Sequence, residues 1–218
     1  MSWSRITGAK AGSADGDTVT TSGINTAGAD LLVAIVAQES AVADAAFSDS
    51  KGNTWTKLTG QTESPGKSVL YWCRPTSVGS GHTFTATQSS SRPSVCVEAW
   101  SGSATSPFDQ QNGAHSSDGG ATLATGSVTP TQDNELVIAG AAARGQTVSS
   151  IDGGFTLANS QAGSATNDGA AIAYLVQTSA TAANPTWTFG TAGSIKMALI
   201  ATFKQAPVTS NGNMFLVW

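Results

Sequence analysis

The feature that most constrains the fold is a series of short apolar segments that occurs twice along the 218 residues. The run at 29–37 is echoed at 134–142, where Leu32 corresponds to Leu136 at a shift of 104 positions. Further segments repeat at shifts of 103 or 104. Because a near-constant shift over six segments is hard to obtain by chance, we interpret residues 8–102 and 113–205 as two copies of one strand series.

Both copies have the pattern of an all-β protein. The run at 29–37, A-D-L-L-V-A-I-V-A, is short and β-branched, which is typical of a strand buried on both faces. Each copy contains about six predicted strands with turn signals between them. No segment of about 12 residues has the periodicity of a helix. The sequence therefore predicts a double-sheet, jelly-roll-like β-sandwich with an internal pseudo-twofold strand repeat.

The repeat also predicts the domain organisation. Residues 1–206 are expected to form one sandwich domain, and residues 207–218 a C-terminal extension. Leu32 and Leu136 are expected at equivalent core positions of central strands. Two separate immunoglobulin-size domains, joined by residues 103–112, are the alternative. That segment contains Pro107 and Phe108, so it is expected to pack against the fold.

Composition excludes several classes of partner. Charged residues make up only 11% of the chain, against about 25% in an average domain. The net charge of −4 gives no electrostatic attraction to nucleic acid or to an anionic membrane. No apolar run approaches about 18 residues and no signal pattern opens the chain, so we expect synthesis in a host cytoplasm and no membrane anchor.

The two cysteines are expected to be buried free thiols. Cys73 and Cys96 both lie in apolar runs, Y-W-C and V-C-V, and two cysteines are too few for a disulfide framework. A single disulfide between them is the alternative. With only His82 and His115 to add ligands, no zinc site is predicted.

No group of residues has the pattern of a catalytic site, so the chain is predicted not to be an enzyme and to need no cofactor or metal. Glu98 is a lone acid in an apolar strand, without the partner that acid–base chemistry requires. No G-x-S-x-G motif or glycine-rich phosphate loop occurs. The turn at 49–53 carries oxygen ligands but lacks the acid that closes a calcium loop, so it is interpreted as a hairpin turn, as is the cluster at 15–17.

The tryptophans allow two interpretations, a sugar-stacking platform or a core. Three of them correspond to phenylalanines in the other copy, which favours the core. The four candidates for a platform are Trp55, Trp72, Trp100 and Trp187, and the matched pairs are Trp55 with Phe155, Trp100 with Phe203, and Trp187 with Phe84.

The end of the chain is predicted to make contacts. A polar, turn-rich connector at 207–213 leads to five consecutive apolar residues, each costing about 1.5–3 kcal/mol if left in water. They are expected to dock on their own sandwich or to cross to a neighbouring subunit. Together with Trp3 they form the candidate subunit contact, Met214, Phe215, Leu216, Val217 and Trp218.

The segments in order resemble a group of β-sandwich modules found in tailed-phage virion proteins and bacterial surface proteins. The motifs that carry the resemblance include A-D-L-L-V-A-I-V, D-S-K-G-N-T-W-T-K-L, V-L-Y-W-C-R-P and V-E-A-W-S-G, and it spans about residues 18–204. It implies a structural virion protein, a capsid decoration or cement protein or part of a head or tail fibre. Its partners would then be capsid or tail subunits and copies of itself, with a trimer expected from three-fold sites. A carbohydrate-binding or adhesion module that recognises a cell-surface glycan is the alternative.

Overall fold

A computed structural model describes residues 2–13, 15–39, 43–164, 167–190 and 195–207. These residues form seventeen strands and no helix, which confirms the predicted all-β class. All strand pairs are antiparallel, and the strands form four sheets that pack on one another as a β-sandwich. No helix of the described chain has the length and apolar character to cross a membrane.

The first half of the chain forms two sheets. Its strands are β1 (Ser4–Gly12), β2 (Thr18–Thr20), β3 (Leu31–Gln38), β4 (Ala46–Asp49), β5 (Thr56–Lys57), β6 (Gln61–Glu63), β7 (Gly66–Cys73), β8 (Phe84–Thr87) and β9 (Ser94–Ser101). The larger sheet has the order β1-β9-β3-β7-β5, with β6 also pairing with β7. The smaller sheet has the order β2-β8-β4.

The second half forms two more sheets. Its strands are β10 (Ser103–Ser116), β11 (Thr122–Ala124), β12 (Glu135–Arg144), β13 (Val148–Ile151), β14 (Thr156–Gln161), β15 (Asp168–Gln177), β16 (Thr186–Phe189) and β17 (Lys196–Gln205). The larger sheet has the order β10-β17-β12-β15-β14, and the smaller one β11-β16-β13. In both halves the first strand therefore lies at an edge of the large sheet and pairs with the last.

The four sheets stack as layers, with the two large sheets in the middle. Alternate residues of β3 face the other large sheet, and the residues between them face the small sheet of their own half, as expected for a strand buried on both faces. We call the apolar layer between the large sheets the central core. It includes Leu31, Val33, Ile35, Leu70, Trp100, Leu136, Ile138, Ile172, Leu199 and Phe203.

Each half also has an inner core between its own large and small sheets. In the first half it contains Leu32, Val36, Tyr71, Phe84 and Val97. In the second half Trp187 and Phe189 of the small sheet pack on alanines of β12 and β15. The predicted double-sheet sandwich is thus refined to four layers, in which each half has two sheets of its own and the central core joins them.

One detail of the predicted correspondence is wrong by one residue. Leu32 and Leu136 are both fully buried in central strands, but Leu32 faces its inner core and Leu136 faces the central core. Leu31 lies opposite Trp100, Leu136 lies opposite Phe203, and all four face the central core. A slip of one residue moves a side chain to the other face of a strand.

The segment at 103–112 belongs to the fold, as Pro107 and Phe108 predicted. It forms most of β10, which pairs with β17. The Phe108 ring lies 6.1 Å from the Trp72 ring of the first half and 6.3 Å from the Phe203 ring of the second, measured between centroids. This segment therefore packs on both halves rather than swinging between them.

The two large sheets are closely packed at Gly140, which leads to a prediction. A Cβ atom at Gly140 would lie 2.7 Å from the Ile35 Cδ1 atom and 3.2 Å from the Leu70 Cδ2 atom. Because this core is closely packed, Gly140→Ala is expected to lower the free energy of unfolding by about 1–3 kcal/mol. Urea unfolding measures the loss.

Ile35→Val supplies the matched control, because it removes the atom that the new methyl group would meet. Gly140→Ala should cost less in the Ile35→Val background than in the wild-type chain. Losses that simply add would show that the two residues do not meet across the central core.

Candidate functional site

The predicted contact residues are only partly within the described structure. Residues 214–218 lie outside it, so their role remains a prediction. Trp3 is only 8% exposed and packs in the central core, and its Nε1 atom donates a hydrogen bond to the Asn134 carbonyl oxygen at 3.0 Å. The expectation that Trp3 contacts another subunit is therefore corrected, because its side chain joins the two halves of its own chain.

The tryptophans do not form a shared platform. Trp100 and Trp187 are 1% and 0% exposed and lie in different cores, so their rings are not available to a sugar. Trp55 is half-buried against the inner core of the first half, where its Nε1 atom donates to the Asp49 carboxylate at 2.7 Å. The core interpretation is confirmed for these three.

The fourth candidate, Trp72, lies in a groove where the two halves meet. Its ring is stacked on Phe108, with an interplanar angle of 15°. The Trp72 Nε1 atom is buried and has no hydrogen-bond partner among the described residues. The groove has a volume of about 420 Å³, and we call it the seam groove. It is lined by Thr54, Thr56, Trp72, Cys73, Arg74, Thr105, Ser106, Pro107 and Phe108.

In the turn at 49–53, the Asp49 carboxylate is hydrogen-bonded within the protein. Asp49 accepts hydrogen bonds from the backbone N–H groups of Lys51, at 2.8 Å, and Asn53, at 3.3 Å. Burial acts to raise the pKa of Asp49, but these bonds and those from Trp55 and His82 outweigh it and hold the pKa below its usual value. The structure thus shows a turn whose carboxylate oxygens are already engaged within it. The turn is not the predicted hairpin, because β4 before it belongs to the small sheet and β5 after it belongs to the large sheet.

Glu98 is not the lone carboxylate that sequence analysis described. It is fully buried, and its oxygens accept hydrogen bonds from Arg5 Nε at 2.6 Å and Asn159 Nδ2 at 2.6 Å. Burial raises the pKa of Glu98, and the charge of Arg5 opposes that rise. Since Asn159 belongs to the second half and Arg5 to the first, this cluster ties the halves together beside the central core.

Sequence analysis missed a second buried acid at the seam. Asp168 opens β15 and is fully buried, and neither carboxylate oxygen has a hydrogen-bond partner among the described residues. It packs against Gly66 of the first half, where an added Cβ atom would lie 2.9 Å from its Oδ2 atom. Burial raises the pKa of Asp168 to about 7, and Arg144 only partly opposes this.

A third buried acid, Glu135, opens β12. Burial raises its pKa to about 7, and the nearby charge of Asp109 adds to the rise. Asp109 itself stays ionised, because Lys204 and Thr131 donate to it and outweigh the effect of its own burial. Glu135 and Asp168 share one sequence signal, an acid at the first position of a long buried strand.

Replacing Asp168 with asparagine is expected to change how stability depends on pH. The folded chain holds this proton up to about pH 7, whereas the unfolded chain releases it near the usual pKa of 3.8. Because the folded state binds more protons between these values, the stability that Asp168 contributes falls as the pH rises from about 4 to about 7. Between these values Asp168→Asn should therefore gain on the order of 1–3 kcal/mol relative to the wild type.

Urea unfolding of the wild type and the variant at several pH values, from about 4 to above 7, measures this gain. The difference in unfolding free energy should rise with pH and then level off. A difference that is the same at every pH would show that Asp168 is not held protonated in the fold.

The cysteines are buried and free, as predicted. Burial raises the pKa of Cys96 to about 12 and that of Cys73 further still, so neither forms a thiolate near neutral pH. Within the described part of the chain, no three His, Cys, Asp or Glu side chains lie close enough to hold a metal ion.

The charged side chains described above make contacts that stabilise the fold. Ion pairs such as Arg5 with Glu98 and Lys204 with Asp109 connect elements of the fold to one another. The seam groove is an open feature with a partly apolar lining. Comparisons of this chain with protein-family models, with curated proteins and with solved structures gave no match.

Proposed function

We propose that this protein is a structural component of a tailed-phage virion, a capsid decoration or cement protein or part of a head or tail fibre. It acts through contacts with capsid or tail subunits and with copies of itself, a trimer being the expected symmetry. The resemblance of the strand segments to virion modules suggests this function. The observation that supports it is the four-layer block, whose two small sheets face away from each other.

The outer face of the first small sheet is an ordered array of hydroxyl groups. On paired strands β2 and β8, Thr18 lies opposite Thr87 and Thr20 lies opposite Thr85. The paired Oγ1 atoms are 3.0 Å and 2.9 Å apart, within hydrogen-bond distance. Such cross-strand pairs fix the side chains before any partner arrives, which lowers the entropic cost of binding.

The other small sheet presents a similar face on the opposite side of the block. Thr122 and Thr188 lie opposite each other on β11 and β16. The next cross-strand pair, Leu123 and Trp187, points to the inner core. A rigid block with a hydroxyl-rich face on each side can contact two neighbours at once. That geometry suits a protein that bridges subunits.

The described surface offers little apolar area for such contacts. Among the described residues, the large apolar side chains that are exposed are Leu157 and Val176, each 37% exposed. The contacts of the outer sheets would therefore be polar and hydrated, which is common in protein interfaces. The described residues therefore show no large apolar patch for the burial between subunits that the sequence predicts, and residues 214–218 lie outside them.

Co-sedimentation with purified capsid shells tests the proposal. The wild-type chain should sediment with shells or tails. Thr87→Glu, which puts a charge on an outer face, should weaken binding while leaving the melting temperature unchanged. Thr62→Glu is the matched control, because Thr62 is an exposed strand residue on a different sheet.

Two outcomes would contradict the proposal. The first is a chain that stays monomeric at high concentration and sediments with no shell or tail. The second is specific binding on a glycan array without binding to shells, which would favour the carbohydrate-binding alternative.

A further inference from the structure

The described chain ends beside the seam groove. Gln205 of β17 lies opposite Ser103 of β10, and the Ala206 N–H donates to the Gly102 carbonyl oxygen at 2.8 Å. The wall of the groove at Thr105–Phe108 begins two residues further along β10, so the last described strand ends within a few residues of the groove wall.

The groove has the chemistry to take apolar side chains. Trp72 and Phe108 stack to form its apolar lining, and Pro107 extends it. Thr54, Thr56, Arg74, Thr105 and Ser106 are exposed around the rim. A volume of about 420 Å³ is in the range of protein sites that bury small apolar ligands, so one or two large side chains fit.

The sequence that follows can return to the groove. Residues 208–213 are polar and contain Asn211-Gly212, a dipeptide that favours a tight reversal of the chain. Six extended residues reach roughly 20 Å. Because the connector is short, the apolar residues after it are present near their own groove at an effective concentration on the order of millimolar.

We propose that the apolar segment 214–218 docks in the seam groove of its own chain. It covers the apolar lining formed by Trp72 and Phe108 and adds a further contact between the halves. This inference goes beyond the proposed function, since it assigns the apolar segment to its own subunit rather than to a neighbour.

Disulfide trapping in the full chain tests the proposal. One variant carries Thr105→Cys at the groove rim and Leu216→Cys in the segment, in a Cys73→Ala background because Cys73 lines the groove. The matched control carries Thr87→Cys, on an outer face, with Leu216→Cys. In dilute solution the groove pair should form an intramolecular bond roughly tenfold faster than the control pair.

A second variant separates docking from mere proximity to the chain exit. Phe215→Ser with Val217→Ser keeps the connector but removes apolar area, so the rate advantage of the groove pair should disappear. If the groove pair still forms its disulfide bond faster than the control pair in the chain with both serines, the proposal is overturned. Crosslinks that form mainly between chains would overturn it as well, and would assign the groove to the segment of a second copy. Neither result depends on whether the protein binds capsid shells.

Discussion

Leu136→Ala is expected to lower the free energy of unfolding by about 2–5 kcal/mol, because it empties a fully buried site between the two large sheets. Leu32→Ala should cost a similar amount, but from the inner core of the first half. Urea unfolding measures both losses. Hydrogen exchange locates them, since Leu136→Ala should loosen strands of both halves and Leu32→Ala mainly the first.

Leu157→Ala is the matched control for both. Leu157 is 37% exposed on an edge strand, so its loss should cost less than about 1 kcal/mol. Near-zero losses at Leu32 and Leu136 would show that β3 and β12 are not the central strands of this fold.

Arg5→Ala is expected to destabilise the chain by about 3 kcal/mol, because it leaves the fully buried Glu98 carboxylate without its positive partner. The Arg5 side chain is 33% exposed, so water that enters its place lessens the loss below that of a fully buried pair. Thermal and urea unfolding at neutral pH measure the effect.

Neutralising Glu98 should relieve much of this loss. In a Glu98→Gln background, Arg5→Ala should cost clearly less than in the wild type, which a double-mutant cycle measures. Lys10→Ala is the matched control on the same strand, because Lys10 is exposed and, within the described part of the chain, its side chain donates to the Ser160 carbonyl oxygen. If Arg5→Ala and Lys10→Ala cost the same small amount, the Glu98 cluster does not stabilise the seam.

Much of the fold could be predicted from local pattern. The run at 29–37 was expected to be a strand buried on both faces, and β3 has every residue buried. Length, β-branched content and flanking glycine predict such a strand without reference to its neighbours. The packing of Phe108 was also predicted, since a proline followed by a large apolar residue rarely belongs to a free linker.

The face of the strand on which each side chain lies could not be predicted in the same way. A strand that is apolar on both faces has no polar residue to mark which face is outward, so aligning Leu32 with Leu136 left the register free to slip by one. For the same reason the sequence did not distinguish two layers from four. Partners of Glu98 were missed because Arg5 and Asn159 lie 93 and 61 positions away in sequence.

We propose that this chain is a structural part of a virion, and locating the chain in purified particles is the most direct test. Immunogold labelling of virions purified from cells that produce this chain, combined with peptide mass analysis of the same particles, gives the measurement. We expect label at regular positions on the capsid or tail and peptides of this chain in fixed proportion to the capsid protein. Purified virions that carry neither label nor peptides, while the chain is abundant in infected cells, would contradict it.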